Sequence, residues 1–174
     1  IDGLIEKCRE LILPDHATYA SIDDFLDRPV MLVDGGAEWR YWRGTEEPSP
    51  GLEWTASDFN DAGWHAGQSG YALSEGEGIL TVLGDAEGSY TSLYLRRSFT
   101  VPDPSRIREL VIRVRSSGGW IVYLNGAECC RILAGTPRTR QAHDAVAEVD
   151  DGPTWIAREV RGNVDLLRAG ENVV

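Results

Sequence analysis

The sequence predicts an all-β fold of antiparallel strands, and three features of its central part lead to this prediction. Apolar and polar residues alternate over residues 93–101 and again over 110–115, which is the pattern of strands that bury one face. Within the first run, Arg96 belongs to the face that we expect to be exposed. The dipeptide Asn125-Gly126 strongly indicates a β-hairpin, because both residues tolerate the positive φ angles of a type I′ turn.

The first residues of the chain have a helical period rather than a strand period. Apolar residues recur on one helical stripe over residues 1–13, and Pro14 ends this stripe. A second short helix is predicted over residues 22–26. We therefore expect a short N-terminal helical appendage over residues 1–28, the tail of a preceding domain, followed by the β domain over residues 29–174.

The β domain is expected to begin with short strands that alternate with loops. Residues 30–33 and 38–42 are apolar or aromatic runs, which predict strands. One of residues 57–58 is expected to cap a single helical turn, which would fold the rings of Phe59 and Trp64 onto the core. Glycines at short intervals then predict long loops with one or two short strands.

The C-terminal part of the chain is predicted to return to the sheets. Residues 155–160 are expected to form a strand, and residues 164–170 a one-turn helix that ends at a glycine. Residues 171–174 have the composition of the start of a strand. We therefore expect the last strand to be truncated here and to continue beyond Val174 in a longer protein.

Composition and charge narrow the classes of function. A net charge of −11 argues against nucleic acid and against an anionic membrane surface as partners, since both reward a basic patch. The three cysteines contain no CxxC pair and the three histidines are scattered, so neither a zinc site nor a disulfide framework is predicted. The sequence contains no nucleophile elbow, so we expect the segment to be noncatalytic.

Six short motifs occur in a fixed order along the chain. They are Trp39-x-Tyr41, Trp54 with Asp58-Phe59-Asn60-Asp61-x-x-Trp64, Gly70-Tyr71, and the segments 94–101, 122–126 and 166–174. Together they resemble galactose-binding-domain-like modules, such as the sugar-binding domain of β-galactosidase-type hydrolases and accessory modules of large bacterial surface proteins. The resemblance covers residues 39–174 and implies an antiparallel β-sandwich (jelly roll) of roughly eight or nine strands, in a secreted or cell-surface protein.

Aromatic residues near the predicted loops are candidates for stacking on a sugar ring. Their apolar faces, with polar groups nearby for the hydroxyls, suit a pyranose. The candidate ligand-binding residues are Trp64, His65, Tyr71 and Tyr90, with Trp120 as a weaker one. The alternative is that these residues pack in the core, as most tryptophans of a sandwich do.

A calcium site is a second candidate. Asp58, Asn60 and Asp61 place side-chain oxygens in one turn, and Glu75 and Glu77 follow in a glycine-rich loop. The alternative is that Asp58 caps the turn and Asp61 braces the next loop. Apart from this Ca²⁺ site, no cofactor is expected.

The function that the sequence favours is carbohydrate binding by a noncatalytic accessory module of a larger, multidomain bacterial extracellular protein. The rival hypothesis is a structural or interaction module that braces a neighbouring catalytic domain. The expected partner is thus a carbohydrate or an adjacent domain of the same chain, and neither nucleic acid nor a membrane.

Overall fold

The computed structural model of the chain describes residues 30–148 and 156–174. The strands described below belong to one compact unit, Leu32–Val174. The helical appendage predicted for residues 1–28 lies outside the described residues. None of the helices within the described ranges is long and apolar enough to span a membrane.

Strands dominate the described part of the chain, and the helices in it are single 3-10 turns. The strands, in chain order, are β1 (Glu38–Arg43), β2 (His65–Gln68), β3 (Tyr71–Ala72), β4 (Thr81–Val82), β5 (Leu93–Arg96), β6 (Ser98–Val101), β7 (Val111–Ser116), β8 (Trp120–Leu124), β9 (Ala127–Ile132), β10 (Ile156–Arg161) and β11 (Gly170–Val173). The 3-10 turns are η1 (Glu53–Thr55), η2 (Pro104–Arg106) and η3 (Val164–Leu166). The predicted all-β character is therefore confirmed.

Backbone hydrogen bonds join the described strands into one sheet of three strands and four sheets of two. The three-stranded sheet has the order β2-β1-β5, and the two-stranded sheets are β10-β7, β11-β6, β3-β4 and β8-β9. Every pair is antiparallel except β3-β4, which is parallel. The predicted antiparallel pairing is thus confirmed for all but one of these pairs.

The predicted hairpin at Asn125-Gly126 is present and joins β8 to β9. Asn125 and Gly126 have φ angles of 51° and 89°, so both residues adopt the left-handed conformation that a type I′ turn requires. Leu124 pairs with Ala127 across the turn. The two-residue loop sets the register next to the turn, and an irregularity between Val122 and Tyr123 shifts the pairing by one residue farther along the hairpin.

Other predicted elements occur close to their expected bounds. The strands predicted over residues 38–42, 110–115, 155–160 and 171–174 are β1, β7, β10 and β11, and the one-turn helix predicted over residues 164–170 is η3. Each of these strands pairs with a strand that is distant in sequence. For these four strands, the residue pattern of the sequence therefore predicts the same elements that pair in the folded structure.

The run over residues 93–101 is not a single strand, which corrects the predicted alternation. It divides into β5, which pairs with β1, and β6, which pairs with β11.

Arg96, predicted on the exposed face, is only 2% exposed. Its guanidinium donates to the backbone carbonyls of Trp54 and Ala56, and its Nε lies 3.0 Å from Oδ2 of Asp61. These tertiary partners make the burial of a charged group possible.

Two short predicted elements are wrong. Residues 30–33 form no strand, because the chain bends at Leu32 and Val33 and offers no straight edge for pairing. Residues 57–58 do not cap a helical turn but form an ordinary turn, and the helical turn of this region, η1, lies before them. Ala56 already has an extended backbone, with ψ at 151°, so the helix ends before these residues are reached.

The sheet β2-β1-β5 separates two groups of side chains. Residues that pair across antiparallel strands point to the same side, so Tyr41 shares one face with His65 and Leu95, and Trp42 shares the other with Tyr94. The first core cluster, on the Tyr41 face, also contains Tyr71, Leu83, Ala86, Tyr90 and Leu93. On the Trp42 face lie the rings of Trp54, Phe59 and Trp64.

Two asparagines tie the β8-β9 hairpin to the last strand. Asn172 is fully buried, and its Oδ1 accepts hydrogen bonds from the Asn125 amide and from the backbone N–H of Arg168, both at 2.8 Å. Its Nδ2 donates to the carbonyls of Arg168 and Gly170, at 2.8 and 3.0 Å. Asn125 in turn accepts from the backbone N–H of Val173 at 3.0 Å. The turn residue Asn125 therefore also holds β11 in place.

Candidate functional site

One groove contains two of the predicted sugar-stacking residues, Tyr71 and Tyr90. It has a volume of about 230 Å³ and lies beside the first core cluster, on the Tyr41 face of the sheet. Its lining consists of Tyr71, Ala72, Leu73, Leu83, Ala86, Tyr90, Thr91, Ser92 and Leu93. Apolar side chains with a few hydroxyl groups are the usual composition of a small-molecule site.

Close packing of the backbone positions Tyr71 in this groove. Gly70 has a φ of 111°, and a Cβ at this residue would clash with the carbonyl oxygen of Gly78, so only glycine fits. The Gly70 carbonyl accepts from the N–H of Leu80 at 2.9 Å, next to the pair β3-β4. The Tyr71 hydroxyl donates to the carbonyl of Gly67 at 2.8 Å, and burial raises the pKa of Tyr71 to about 12.

Charged side chains surround Tyr90 at the rim of the groove. The Nε of Arg43 lies 2.8 Å from Oδ2 of Asp85, and the Tyr90 hydroxyl lies 3.3 Å from Oδ1 of the same carboxylate. Arg43 also lies 2.5 Å from Nε2 of His65 and over the ring of Tyr41. Because a guanidinium only donates, the contact with His65 requires an unprotonated Nε2. Burial, and to a smaller extent the negative charge of Asp85, raises the pKa of Tyr90, so its hydroxyl group stays protonated and can donate a hydrogen bond.

The structure brings only part of the predicted set of stacking residues together. Tyr71 and Tyr90 line the groove. His65 is exposed beside it, with its ring stacked on Tyr41 at 5.1 Å between centroids. Tyr41 also contacts Tyr71 edge to face at 5.6 Å, so the ring of Tyr41 links His65 to the groove.

Trp64, another of the predicted stacking residues, is absent from the lining of this groove. It precedes His65, whose side chain lies on the Tyr41 face, and successive residues of a strand alternate in direction. Its ring therefore packs on the other face, 6.1 Å from Trp42, and is only 6% exposed. A buried ring offers no surface to a sugar. Trp120, the weaker candidate, begins β8 and is absent from the groove lining.

Two side chains of the oxygen-rich turn of residues 58–61, Asn60 and Asp61, have partners within the protein. Asp61 pairs with the buried Arg96 at 3.0 Å. Oδ1 of Asn60 accepts from the backbone N–H two residues later at 3.1 Å, as in an Asx turn. Within residues 30–148 and 156–174, no group of three or more His, Cys, Asp or Glu side chains has the arrangement of a metal site.

A second polar cluster beside the groove has the residue types of a catalytic triad but a different geometry. The Glu47 carboxylate lies 2.9 Å from Nη2 of Arg140, accepts from the backbone N–H of His143 at 3.0 Å, and lies 3.5 Å from its Nδ1. Ser92 donates its hydroxyl to the backbone carbonyl of His143 at 2.5 Å. A serine nucleophile instead needs a hydrogen bond to the base itself. These contacts hold the loop around His143 against the groove wall.

Arg43 and Asp85 are parts of the site that the sequence pattern does not reveal. Arg43 has the same strand parity as Tyr41, and this parity is the one available signal that it lies on the groove face. Asp85 follows a glycine in a loop, where most carboxylates are solvated. The pairing of the two residues depends on the packing of this loop over β1.

Comparisons with known proteins give no assignment for the groove. Neither a protein-family model nor a curated protein matches the chain. The function of the groove is therefore inferred from its own residues and their contacts.

Proposed function

We propose that this segment is a noncatalytic carbohydrate-binding module of a larger multidomain protein, and that the groove at Tyr71 and Tyr90 is its binding site. The observation that supports this proposal is the combination of two aromatic side chains with a hydrogen-bonding rim. Aromatic rings pack against the C–H groups of a pyranose, and charged or hydroxyl groups bind its hydroxyls. Arg43, Asp85 and the Tyr90 hydroxyl supply such groups here.

The size of the groove favours a single sugar unit. Its volume of about 230 Å³ is below the roughly 300–1,000 Å³ of sites for drug-sized ligands. Leu73 in the lining is 58% exposed and Thr91 is also exposed, so the groove is open to solvent on this side. An end unit of a polysaccharide can therefore enter while the rest of the chain extends outward.

The proposal includes a finer fold and a location. The fold is a galactose-binding-like jelly roll, in which the sheets pack as a sandwich, and the location is secreted or on the surface of a bacterial cell. The antiparallel pairing and the hairpin at Asn125-Gly126 support the fold. The location is proposed from the resemblance of the six sequence motifs.

Affinity electrophoresis in native gels that contain neutral galactan, xylan, mannan or β-glucan tests the proposal. Tyr90→Ala is expected to weaken binding about tenfold, because it removes a stacking ring, while Tyr90→Phe keeps the ring and most of the affinity. Trp120→Ala truncates an aromatic residue outside the groove lining and is the matched control. If the folded wild-type protein is not retarded by any of the four polysaccharides, the proposal is wrong.

One observation favours the second candidate function, an interaction module that contacts an adjacent domain. Leu80 and Val82 are large apolar residues on or next to β4, two residues apart and therefore on one face of the strand, and they are 54% and 47% exposed. Exposed apolar residues that lie together are typical of a protein interface. Leu80→Lys should then weaken binding of the separately produced adjacent domain and leave binding of polysaccharides unchanged. Equal binding of that domain by the variant and the wild type would contradict this function.

A further inference from the structure

The turn residue Asn125 is followed by the residue that makes an asparagine chemically reactive. In an Asn-Gly pair, the backbone nitrogen of glycine can attack the side-chain amide carbon, because glycine has no side chain that hinders the approach. The bond from this carbon to the side-chain nitrogen breaks, the nitrogen leaves as ammonia with the proton of the glycine amide, and a succinimide ring remains. Water opens the ring to an aspartate or to an isoaspartate, whose backbone is longer by one methylene. Both products have a carboxylate in place of the amide.

In the folded protein, three hydrogen bonds hold the side chain of Asn125. Its Nδ2 donates to the carbonyl of Leu166 and to Oδ1 of Asn172, both at 2.8 Å. Its Oδ1 accepts from the backbone N–H of Val173 at 3.0 Å. The amide carbon can turn toward the nitrogen of Gly126 only after these bonds break. We therefore expect the fold to slow the reaction and unfolding to release it.

The partners of this amide do not suit a carboxylate. Backbone N–H groups fix the orientation of both amides, since Val173 donates to Oδ1 of Asn125 and Arg168 donates to Oδ1 of Asn172. Nδ2 of the fully buried Asn172 donates to two other carbonyls. A carboxylate oxygen in place of Nδ2 of Asn125 would therefore face two acceptors, the Leu166 carbonyl and Oδ1 of Asn172. The guanidinium of Arg168 lies at the backbone carbonyl of Asn125 instead, at 3.4 Å.

We propose that Asn125 is a deamidation site that the folded hairpin protects, and that its deamidation detaches β11 from the β8-β9 hairpin. Two of the three hydrogen bonds of this side chain join it to β11, through Asn172 and Val173. Deamidation replaces one of them by a contact between two acceptors. Because the ammonia is lost to the solvent, a chain that is modified while unfolded keeps the defect after it refolds.

Peptide mapping by mass spectrometry, with aspartate and isoaspartate forms separated, tests the protection. The protein is incubated in mildly alkaline buffer, with and without guanidinium chloride above its unfolding midpoint. Asn125 is expected to react at least about tenfold more slowly in the folded protein, because three hydrogen bonds must break first. Asn172→Ala removes one of these partners and should speed the reaction in the folded protein. Leu83→Ala is the control for a general loss of stability, because it truncates a buried residue of the first core cluster.

The variant Asn125→Asp has the structure of one product and tests the consequence. Its urea midpoint is expected to lie below that of Asn125→Gly, because glycine only removes the side chain, whereas aspartate places a carboxylate opposite two acceptors. Failure of Asn125→Asp to fold, where Asn125→Gly folds, has the same meaning.

Two sets of results would overturn the proposal. Equal rates in the folded and the unfolded protein overturn the protection, and so do equal rates in Asn172→Ala and Leu83→Ala at a temperature at which both variants are folded. A urea midpoint of Asn125→Asp at or above that of Asn125→Gly overturns the detachment of β11. Neither result depends on whether the groove binds a carbohydrate.

Discussion

Replacing Asn172 by alanine is expected to lower the free energy of unfolding by about 3–4 kcal/mol. The side chain is fully buried and makes four hydrogen bonds of 2.8 to 3.0 Å. A typical intramolecular hydrogen bond contributes about 0.5–1.5 kcal/mol, so four bonds amount to about 4 kcal/mol. The amide of Asn125 keeps its bond to the carbonyl of Leu166, which reduces this loss slightly.

Urea unfolding at pH 7, analysed by linear extrapolation, measures this change. Glu171→Ala is the matched control, because Glu171 is the exposed neighbour of Asn172 in β11 and its truncation should cost less than about 0.5 kcal/mol. Asn125→Gly keeps a residue that tolerates the φ of 51° and removes the partner side chain. Since Asn125 and Asn172 share a hydrogen bond, the double variant should lose about 1 kcal/mol less than the sum of the single losses.

Two results would refute this reasoning. One is a loss below about 1 kcal/mol for Asn172→Ala, which would mean that water replaces the four hydrogen bonds at little cost. The other is strict additivity of the two asparagine variants, which would mean that the side chains do not interact in solution.

Three further predictions concern stability. Gly126→Val should cost about 1–3 kcal/mol, because a β-branched residue is strained at a φ of 89°; an unchanged melting temperature would contradict this. Asp61→Ala should cost about 2–4 kcal/mol by leaving Arg96 buried without its carboxylate, equally in Ca²⁺ and in EDTA, whereas a loss seen only in Ca²⁺ would support a calcium site. Hydrogen bonds from Arg131 hold the pKa of Glu128 below its usual 4.5. The contribution of Glu128 to the free energy of unfolding is therefore present above pH 4.5 and lost as the pH falls through the lowered value. Glu128→Gln should flatten the acid side of a plot of urea midpoint against pH, and an unchanged plot would contradict this.

The local patterns of the sequence were enough to predict most strands of the β domain. Alternation over residues 110–115 and the dipeptide Asn125-Gly126 depend on nearest neighbours in the chain, so they identify β7 and the β8-β9 hairpin without tertiary information. The pairing of β5 with β1 and of β6 with β11 could not be predicted in this way. The partners of an antiparallel strand are chosen by packing, and the run over residues 93–101 looks continuous until those partners are known.

The structure places only some of the predicted stacking residues at the groove, for a similar reason. Tyr71 and Tyr90 are aromatic residues near loops, which a sequence displays directly, and both line the groove. Arg43 and Asp85 become a pair only because the loop that carries Asp85 packs over β1. The chemistry of each side chain is thus visible in the sequence, while the distance between two side chains is not.

Residue type and short-range spacing were sufficient to predict the all-β class and the antiparallel hairpin at Asn125-Gly126. The tertiary structure decided which side of a sheet each residue faces where the pattern was ambiguous. Trp64 is buried because its ring packs against Trp42, Trp54 and Phe59. Arg96 is buried because Asp61 and two backbone carbonyls accept hydrogen bonds from its guanidinium. Burial depends on partners that are distant in the chain, and only the folded structure brings those partners together.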